Sequence, residues 1–304
     1  MTWSLEQITS EALLARFNEL CNQRPDMRVL STLLERPLSL AWIHSIGAVH
    51  DEVMRTLVPP FPPLELRERT AAPELEMFLW TGLKDIEIIG GLYEKHRSTA
   101  TRGQTTVLDF GCGCGRMTRF LSAVDGYVVH GCDVNPALAG WCQKNLARVQ
   151  TAQTSPLPPT PYPDGIFDLV YSISILTHIP EPNIRKWLTE MARIMAPGAL
   201  LVVTTHSYPA LRITLDSPAH QQMLQMTSAE VATTIDNLAT QKVVFRRYAA
   251  DELEITSAGA EYGISFIDPS YFEGVSAGSE FTLLEYVPGG LRGWQDIVVL
   301  RKRG

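Results

Sequence analysis

The decapeptide Val107-Leu108-Asp109-Phe110-Gly111-Cys112-Gly113-Cys114-Gly115-Arg116 constrains the fold of this chain more than any other stretch. A short apolar run ending near an acid reads as a buried strand, and the alternating glycines read as a turn that opens a helix. Glycine permits the positive φ angles of such a turn and a close approach of backbone to ligand, so the turn suits a nucleotide-like cofactor. The spacing departs from the dinucleotide pattern G-x-G-x-x-G, because Arg116 stands where the third glycine belongs and Gly115 comes one residue early. Asp109 gives the site a sign. A carboxylate at the strand tip repels a pyrophosphate and suits an ammonium group.

S-Adenosylmethionine (SAM) carries such an ammonium. At Val107 to Gly115 the chain resembles the class I SAM-dependent methyltransferases, whose first motif has the form hydrophobic-hydrophobic-Asp-x-Gly-x-Gly-x-Gly. The resemblance runs from about Leu75 to the C-terminus, is strongest between Val107 and Gly198, and leaves out the first seventy or so residues. It implies an enzyme that moves the methyl group of SAM to an oxygen, or a nitrogen or carbon, of a small molecule, leaving S-adenosylhomocysteine (SAH). Asp109, Gly111, Cys112, Gly113 and Gly115 are then expected to hold the cofactor. Two rival functions remain: a catalytically silent SAM-binding partner subunit, and a nicotinamide-dependent oxidoreductase, which the position of Gly115 and Arg116 disfavours.

From Thr106 onward strand and helix patterns alternate. Strands are expected at Val107–Phe110, Tyr127–Cys132, Val149–Gln153, Phe167–Ser172 and Ala199–Thr205, with helices at Arg116–Val124, Pro136–Val149 and Glu181–Met195. Phe281–Val287 and Asp296–Arg301 flank Pro288-Gly289-Gly290 and are expected to pair antiparallel. The expected fold is a doubly wound, Rossmann-like α/β sheet of seven strands, the last antiparallel, with its ligand beyond the carboxyl ends of the strands. Residues 1–73 form a helical N-terminal extension or lid, with apolar helical spacing from Leu5 to Cys21 and a second cluster from Met27 to Ile46. Pro59-Pro60-Phe61-Pro62-Pro63 breaks it as an extended linker. Residues 74–304 form the methyltransferase domain. It opens with a helix over Glu74–His96, whose apolar stripe reads as a core face; the resemblance implies instead a cover over the SAM pocket, with Phe78, Trp80 and Gly82 as lid candidates. The long insert 207–266, helical over Gln221–Leu238, is expected to be a substrate lid, against a surface elaboration or dimer arm.

Asp133 ends the second strand, where an acid can accept both ribose hydroxyls; the plainer alternative is a helix cap, for which Asn135 is better placed. Val134 would pack beside the adenine. In the proline-rich loop from Thr154 to Gly165, Thr154 or Ser155 would meet the adenine amino group, although the family more often has Asp or Asn there. Asp168 reads as structural. Ser172 and Ile173 should lie near the transferable methyl. His178, in Ser174-Ile175-Leu176-Thr177-His178, titrates near neutrality and is a candidate general base, against a role with Thr177 in starting the next helix. His206 is the second candidate, and Trp294-Gln295 a third site for substrate.

Twenty-six Lys and Arg stand against 33 Asp and Glu, a net charge of -7, so no global attraction draws the chain to nucleic acid or an anionic membrane. Arg301-Lys302-Arg303 reads as a solvated tail. No secretory or membrane-spanning pattern is found, and a cytoplasmic enzyme with a small-molecule acceptor, either a monomer or a homodimer, is expected. Five cysteines are too few and too odd for a disulfide framework. Cys112, Cys114, His130 and Cys132 could converge on zinc, but their spacing and the place of two of them in the glycine turn suit small buried thiols better, so no metal is expected.

Overall fold

The computed structural model describes residues 11–23, 48–49, 51–56, 58–70, 72–97, 103–124, 126–248 and 261–304. The expectations for Leu5–Ser10 and Met27–Ile46, and residues 249–260 of the insert, lie outside the described residues. The chain forms two compact units, Met1–Lys95 with Arg102–Gln153 and His96–Thr101 with Thr154–Gly304. Its α/β fold has the expected seven-stranded mixed sheet, three strands falling in the first unit and four in the second.

The first unit begins with helices α1 (Glu11–Gln23), α2 (Glu52–Arg55) and α3 (Leu64–Glu68). Leu20 and Cys21 of α1 pack with Ala48 and Met54. Arg16 grips both carboxylate oxygens of Asp51 at 3.1 and 2.7 Å, and Asp51 also caps α2 by accepting from Met54 N. Helix α4 (Leu75–His96) buries Phe78, Leu79, Leu83, Ile86, Ile89 and Tyr93, the helical stripe expected of a core face, together with Asp85. Strands β1 (Thr105–Phe110), β2 (Tyr127–Asp133) and β3 (Val149–Gln153) run parallel in the order β3-β2-β1. Val107 and Leu108 are fully enclosed, as parallel strands covered on both faces require.

Two helices of this unit are shorter than the sequence predicts. Only Thr118–Leu121 (α5) is α-helical, because Phe120, Ala123 and Val124 each donate three residues back and tighten both ends into 3₁₀ geometry. Helix α6 (Pro136–Asn145) starts at Pro136, as expected, with Asn135 accepting from Ala137 N and Leu138 N. It stops before Val149 because Leu146 leaves the helical region at φ -110, ψ 78.

In the second unit β4 (Phe167–Ser172) and β5 (Met195–Thr205) are joined by α7 (Glu181–Ile194). Strands β8 (Phe281–Leu291) and β9 (Gln295–Lys302) complete the order β4-β5-β9-β8, with β9 antiparallel to both neighbours. The hairpin does not turn at Pro288-Gly289-Gly290, which lies within β8 at a register shift. It turns at Arg292 (φ 57) and Gly293 (φ 74), with Trp294 N donating to Leu291 O at 3.1 Å, as in the primed turns that match strand twist.

The insert carries α8 (Tyr208–Asp216), α9 (Pro218–Leu224), α10 (Ser228–Gln241) and β6 (Val243–Arg247), and β6 pairs antiparallel with β7 (Gly263–Ile267). The helix expected over Gln221–Leu238 is broken. Gln225 adopts a left-handed conformation (φ 50) that ends α9, and Thr227 with Glu230 forms a capping box that starts α10. Leu211, Leu224, Met226, Val231, Leu238, Ile264 and Phe266 give the insert a hydrophobic cluster of its own.

Candidate functional site

In the first unit Gly111, Gly113 and Gly115 take φ angles of 82, 56 and 77°. The chain leaving β1 therefore curls back on itself, and its amides are consumed in the process. Gly111 N and Cys112 N both donate to Cys132 O at 2.8 and 2.9 Å, and Gly115 N donates to Cys112 O at 3.0 Å. Gly113 N donates to Asp133 Oδ2 at 2.9 Å, and Cys114 N to Thr70 Oγ1 at 3.3 Å. A phosphate-binding turn works by aiming such amides at its ligand. Here five consecutive amides already have protein acceptors.

Asp133 also accepts from Asn135 N at 2.8 Å through its other oxygen, so one carboxylate links the turn to the start of α6. Burial pushes its pKa up, while the bonds from Asn135, Gly113 and Val134 amides pull the other way. Three amides leave about one of the carboxylate's four acceptor positions open. A ribose hydroxyl presented to Asp133 can therefore be held without breaking the turn. Asp109 is buried and accepts from Thr118 Oγ1 at 3.0 Å, and Val134 is half-buried beside Asp133.

Close packing explains the remaining glycines. A β-carbon on Gly115 would lie 2.4 Å from Leu146 Cδ1, and one on Gly113 2.5 Å from Thr70 Cγ2. On Gly82 of α4 it would lie 2.3 Å from the Arg116 carbonyl oxygen, so Gly82 serves helix-to-turn packing. Arg116, the residue that spoils a dinucleotide register, forms a buried ion pair with Asp85 at 2.6 Å. Sequence reasoning missed Asp85, Thr70 and Arg119. Arg119 is buried, donates to Pro59 O and Pro60 O at 2.6 and 3.1 Å and stacks over Phe61 at 5.2 Å. Burial lowers its pKa to about 10. These contacts join positions tens of residues apart, which no local periodicity reveals.

Cys112 and Cys142 both point their thiols at Gly113 O, at 3.6 and 3.4 Å. The contact with Cys142, then burial, pushes the Cys112 thiol well up, and burial pushes Cys114 up to about 11. All five cysteines are buried, and none forms a disulfide. Among the described residues no group of three or more His, Cys, Asp or Glu side chains gathers as a metal would need.

In the second unit β4 ends at buried Ser172, followed by buried Ile173 and by Ser174 at a positive φ of 61°. Ser174 is held there by Thr204 Oγ1, which accepts from its amide at 2.8 Å, and by Gln295 Nε2, which donates to its hydroxyl at 2.8 Å. His178 closes the 3₁₀ turn Leu176–His178, with Nδ1 2.9 Å from Gly263 O. A carbonyl only accepts, so Nδ1 carries the hydrogen and Nε2 keeps the lone pair. Tyr262 stacks on the ring at 4.9 Å and Tyr248 Oη lies 3.4 Å from Nδ1. Burial lowers the His178 pKa against the Gly263 bond. His206, 4% exposed, sits between Phe266 and Trp294 at 5.9 and 5.5 Å. Burial, then the field of His178, lowers it to about 3.

Thr154 is buried and Ser155 exposed. Their proline-rich loop is pinned by Glu190, which accepts from Thr160 N and Oγ1 at 2.7 and 2.6 Å and pairs with Arg193 at 2.6 Å. Glu190, Tyr248 and Tyr262 escaped the sequence reading; only a charged residue on the inward stripe of α7 hinted at the first.

Among known proteins, a family described as a methyltransferase domain matches residues 107–198. The chain is 33% identical to a probable tocopherol O-methyltransferase of Oryza sativa over 35% of this chain and 30% of that one. It is 33% identical to a 2-methyl-6-phytyl-1,4-hydroquinone methyltransferase of Synechocystis over 33% and 31%. The matched part thus spans under a third of these curated relatives. A solved magnesium protoporphyrin IX methyltransferase of Synechocystis, with bound SAH, aligns at a TM-score of 0.48 and 12% identity, covering 78% of this chain and 93% of that chain. No helix among the described residues is long and apolar enough to cross a membrane. Residues 107–198 are thus similar to a methyltransferase domain, and the glycine motif and the mixed sheet agree with that match.

Proposed function

We propose that this chain is a SAM-dependent methyltransferase acting on a small molecule. The observation that carries the reading is the closure of the glycine turn, in which Gly111, Cys112, Gly113, Cys114 and Gly115 amides all have protein acceptors while Asp133 keeps accepting capacity. SAM asks a turn for acceptors, for its ribose hydroxyls and its ammonium. A nicotinamide dinucleotide asks for amide donors, which this turn has already committed.

In this reading Asp133 accepts a ribose hydroxyl, Val134 packs on the adenine, and Asp109 with the Gly111–Gly115 turn takes the amino-acid end. Thr154 and Ser155 serve the adenine edge, and Ser172 and Ile173 the methyl end. SAM supplies an already electrophilic methyl group, so the protein mainly aligns an acceptor and excludes water, an effect worth about 7–11 kcal/mol when alignment is complete. His178 offers Nε2 for the proton of a hydroxyl acceptor. His206, held neutral, acts as a hydrogen-bonding group toward that acceptor rather than as a strong base. Residues 207–266 act as a substrate lid, and residues 1–73 as an extension that supports the turn. Five cysteines outside any disulfide suit a reducing, cytoplasmic setting.

Calorimetry with SAM and SAH tests the reading. The wild-type chain binds both. Asp133→Ala, which removes an acceptor for three amides and for the ribose, weakens binding by about 2–4 kcal/mol. No saturable binding to the wild type overturns the reading. With binding established, mass spectrometry of a small-molecule extract incubated with SAM shows a product heavier by one methylene.

A further inference from the structure

Where β4 and β5 end in the second unit, buried polar atoms lack partners among the described residues. Ser172 Oγ, Thr177 Oγ1 and both ring nitrogens of His206 have none. An unmet buried donor or acceptor costs about 1–3 kcal/mol, and native proteins rarely keep one without a ligand or water to meet it. His206 is the sharpest case, because an uncharged imidazole leaves one donor and one acceptor unmet on the same ring. That pair complements a hydroxyl, which both accepts and donates.

The surroundings narrow the class further. The His206 ring lies edge-on to Trp294 at 5.5 Å and tilted against Phe266 at 5.9 Å, and Trp294 packs on His220 at 4.9 Å. Trp294 is half-buried at the hairpin turn fixed by Arg292 and Gly293, so part of its indole remains available for stacking. Aromatic faces and edges favour a planar ring by about 0.5–1.5 kcal/mol beyond area burial. Phe266 and Trp294 are uncharged and burial keeps His206 neutral, so an ionised acceptor would lose hydration without gaining a counter-charge from them.

We propose, on the reading that the chain is a SAM-dependent methyltransferase, that His206 and Trp294 recognise an uncharged, planar aromatic hydroxyl compound as the acceptor. His206 bonds the hydroxyl, and Trp294 with Phe266 packs on the ring.

The test uses the full chain saturated with SAH and three probes, 2-naphthol, 2-naphthoate and cyclohexanol, followed by tryptophan fluorescence and calorimetry. The expected result is that 2-naphthol binds at least about ten-fold more tightly than the other two, the sum of a ring contact and a buried hydrogen bond. His206→Phe, which keeps a ring and removes both nitrogens, and Trp294→Leu each lower 2-naphthol affinity at least about five-fold. Equal binding of cyclohexanol or 2-naphthoate, or unchanged 2-naphthol affinity in folded variants, overturns the proposal. Failure of the wild type to bind SAH overturns the methyltransferase reading instead.

Discussion

The glycine turn of the first unit and the strand ends of the second treat buried polar groups in opposite ways. Around Gly111–Gly115 every backbone amide is answered, one by a threonine 44 residues upstream. Around Ser172, Thr177 and His206 hydroxyls and ring nitrogens are shut away from water and left unanswered by any described residue. A self-satisfied turn keeps its shape whether or not a ligand is present. A region with unmet groups gains most from the ligand that meets them, and is less stable alone. On the proposed reading, the difference separates a prebuilt cofactor support from a surface tuned to an acceptor.

Substitutions can break or sharpen that contrast. The largest effect is expected at Gly82. Alanine ordinarily stabilises a helix interior relative to glycine by about 1 kcal/mol, but here its β-carbon meets the Arg116 carbonyl oxygen. Gly82→Ala should cost a net of about 2–3 kcal/mol in denaturant unfolding, since backbone on both sides must move. A neutral outcome would mean the turn is not as tightly built as described.

Next comes Glu190, which shows that the second unit is not open throughout. Burial works to raise its pKa, but bonds from Arg193 and Thr160 outweigh it and hold the carboxyl below its ordinary 4.5. A folded-state pKa depressed in this way adds stability that is fully present above about 4.5 and is lost as pH falls through the folded value. Melting of wild type and Glu190→Gln should therefore differ by about 1.5 kcal/mol at neutral pH, with the gap closing in acid. A constant gap would refute the charged form.

The smallest effect is the most direct test, because one chemical change is made on both sides. Thr70→Val strips the acceptor from Cys114 N and should destabilise by about 1 kcal/mol. Thr177→Val removes a buried hydroxyl that bonds no described residue and should stabilise the ligand-free chain by about 0.5–1 kcal/mol. The two melting shifts should have opposite signs, and equal signs would erase the contrast.

Much of this architecture was legible in the chain. Val107-Leu108 and the glycines that follow announce a covered parallel strand and its turn, and Asn135-Pro136 announces a helix start, because each depends on neighbours in sequence. Gln225 and Arg292 were not legible. Non-glycine residues enter the left-handed region only when surrounding packing holds them, so the α9–α10 break and the true hairpin turn carry little local signal. The Thr70, Asp85 and Arg119 contacts were hidden for a related reason: a charged or polar residue on an apolar stripe looks like an exception until its partner is known.

The bond from Cys114 N to Thr70 bears on how far this domain is a transferable module. The match to the methyltransferase-domain family begins at residue 107, yet the turn inside it is completed by a side chain outside it. Homology and structural self-sufficiency therefore have different borders. A graft of residues 107–198 into another methyltransferase would carry the motif and leave behind the threonine that closes it, so chimeras should be joined upstream of Pro59.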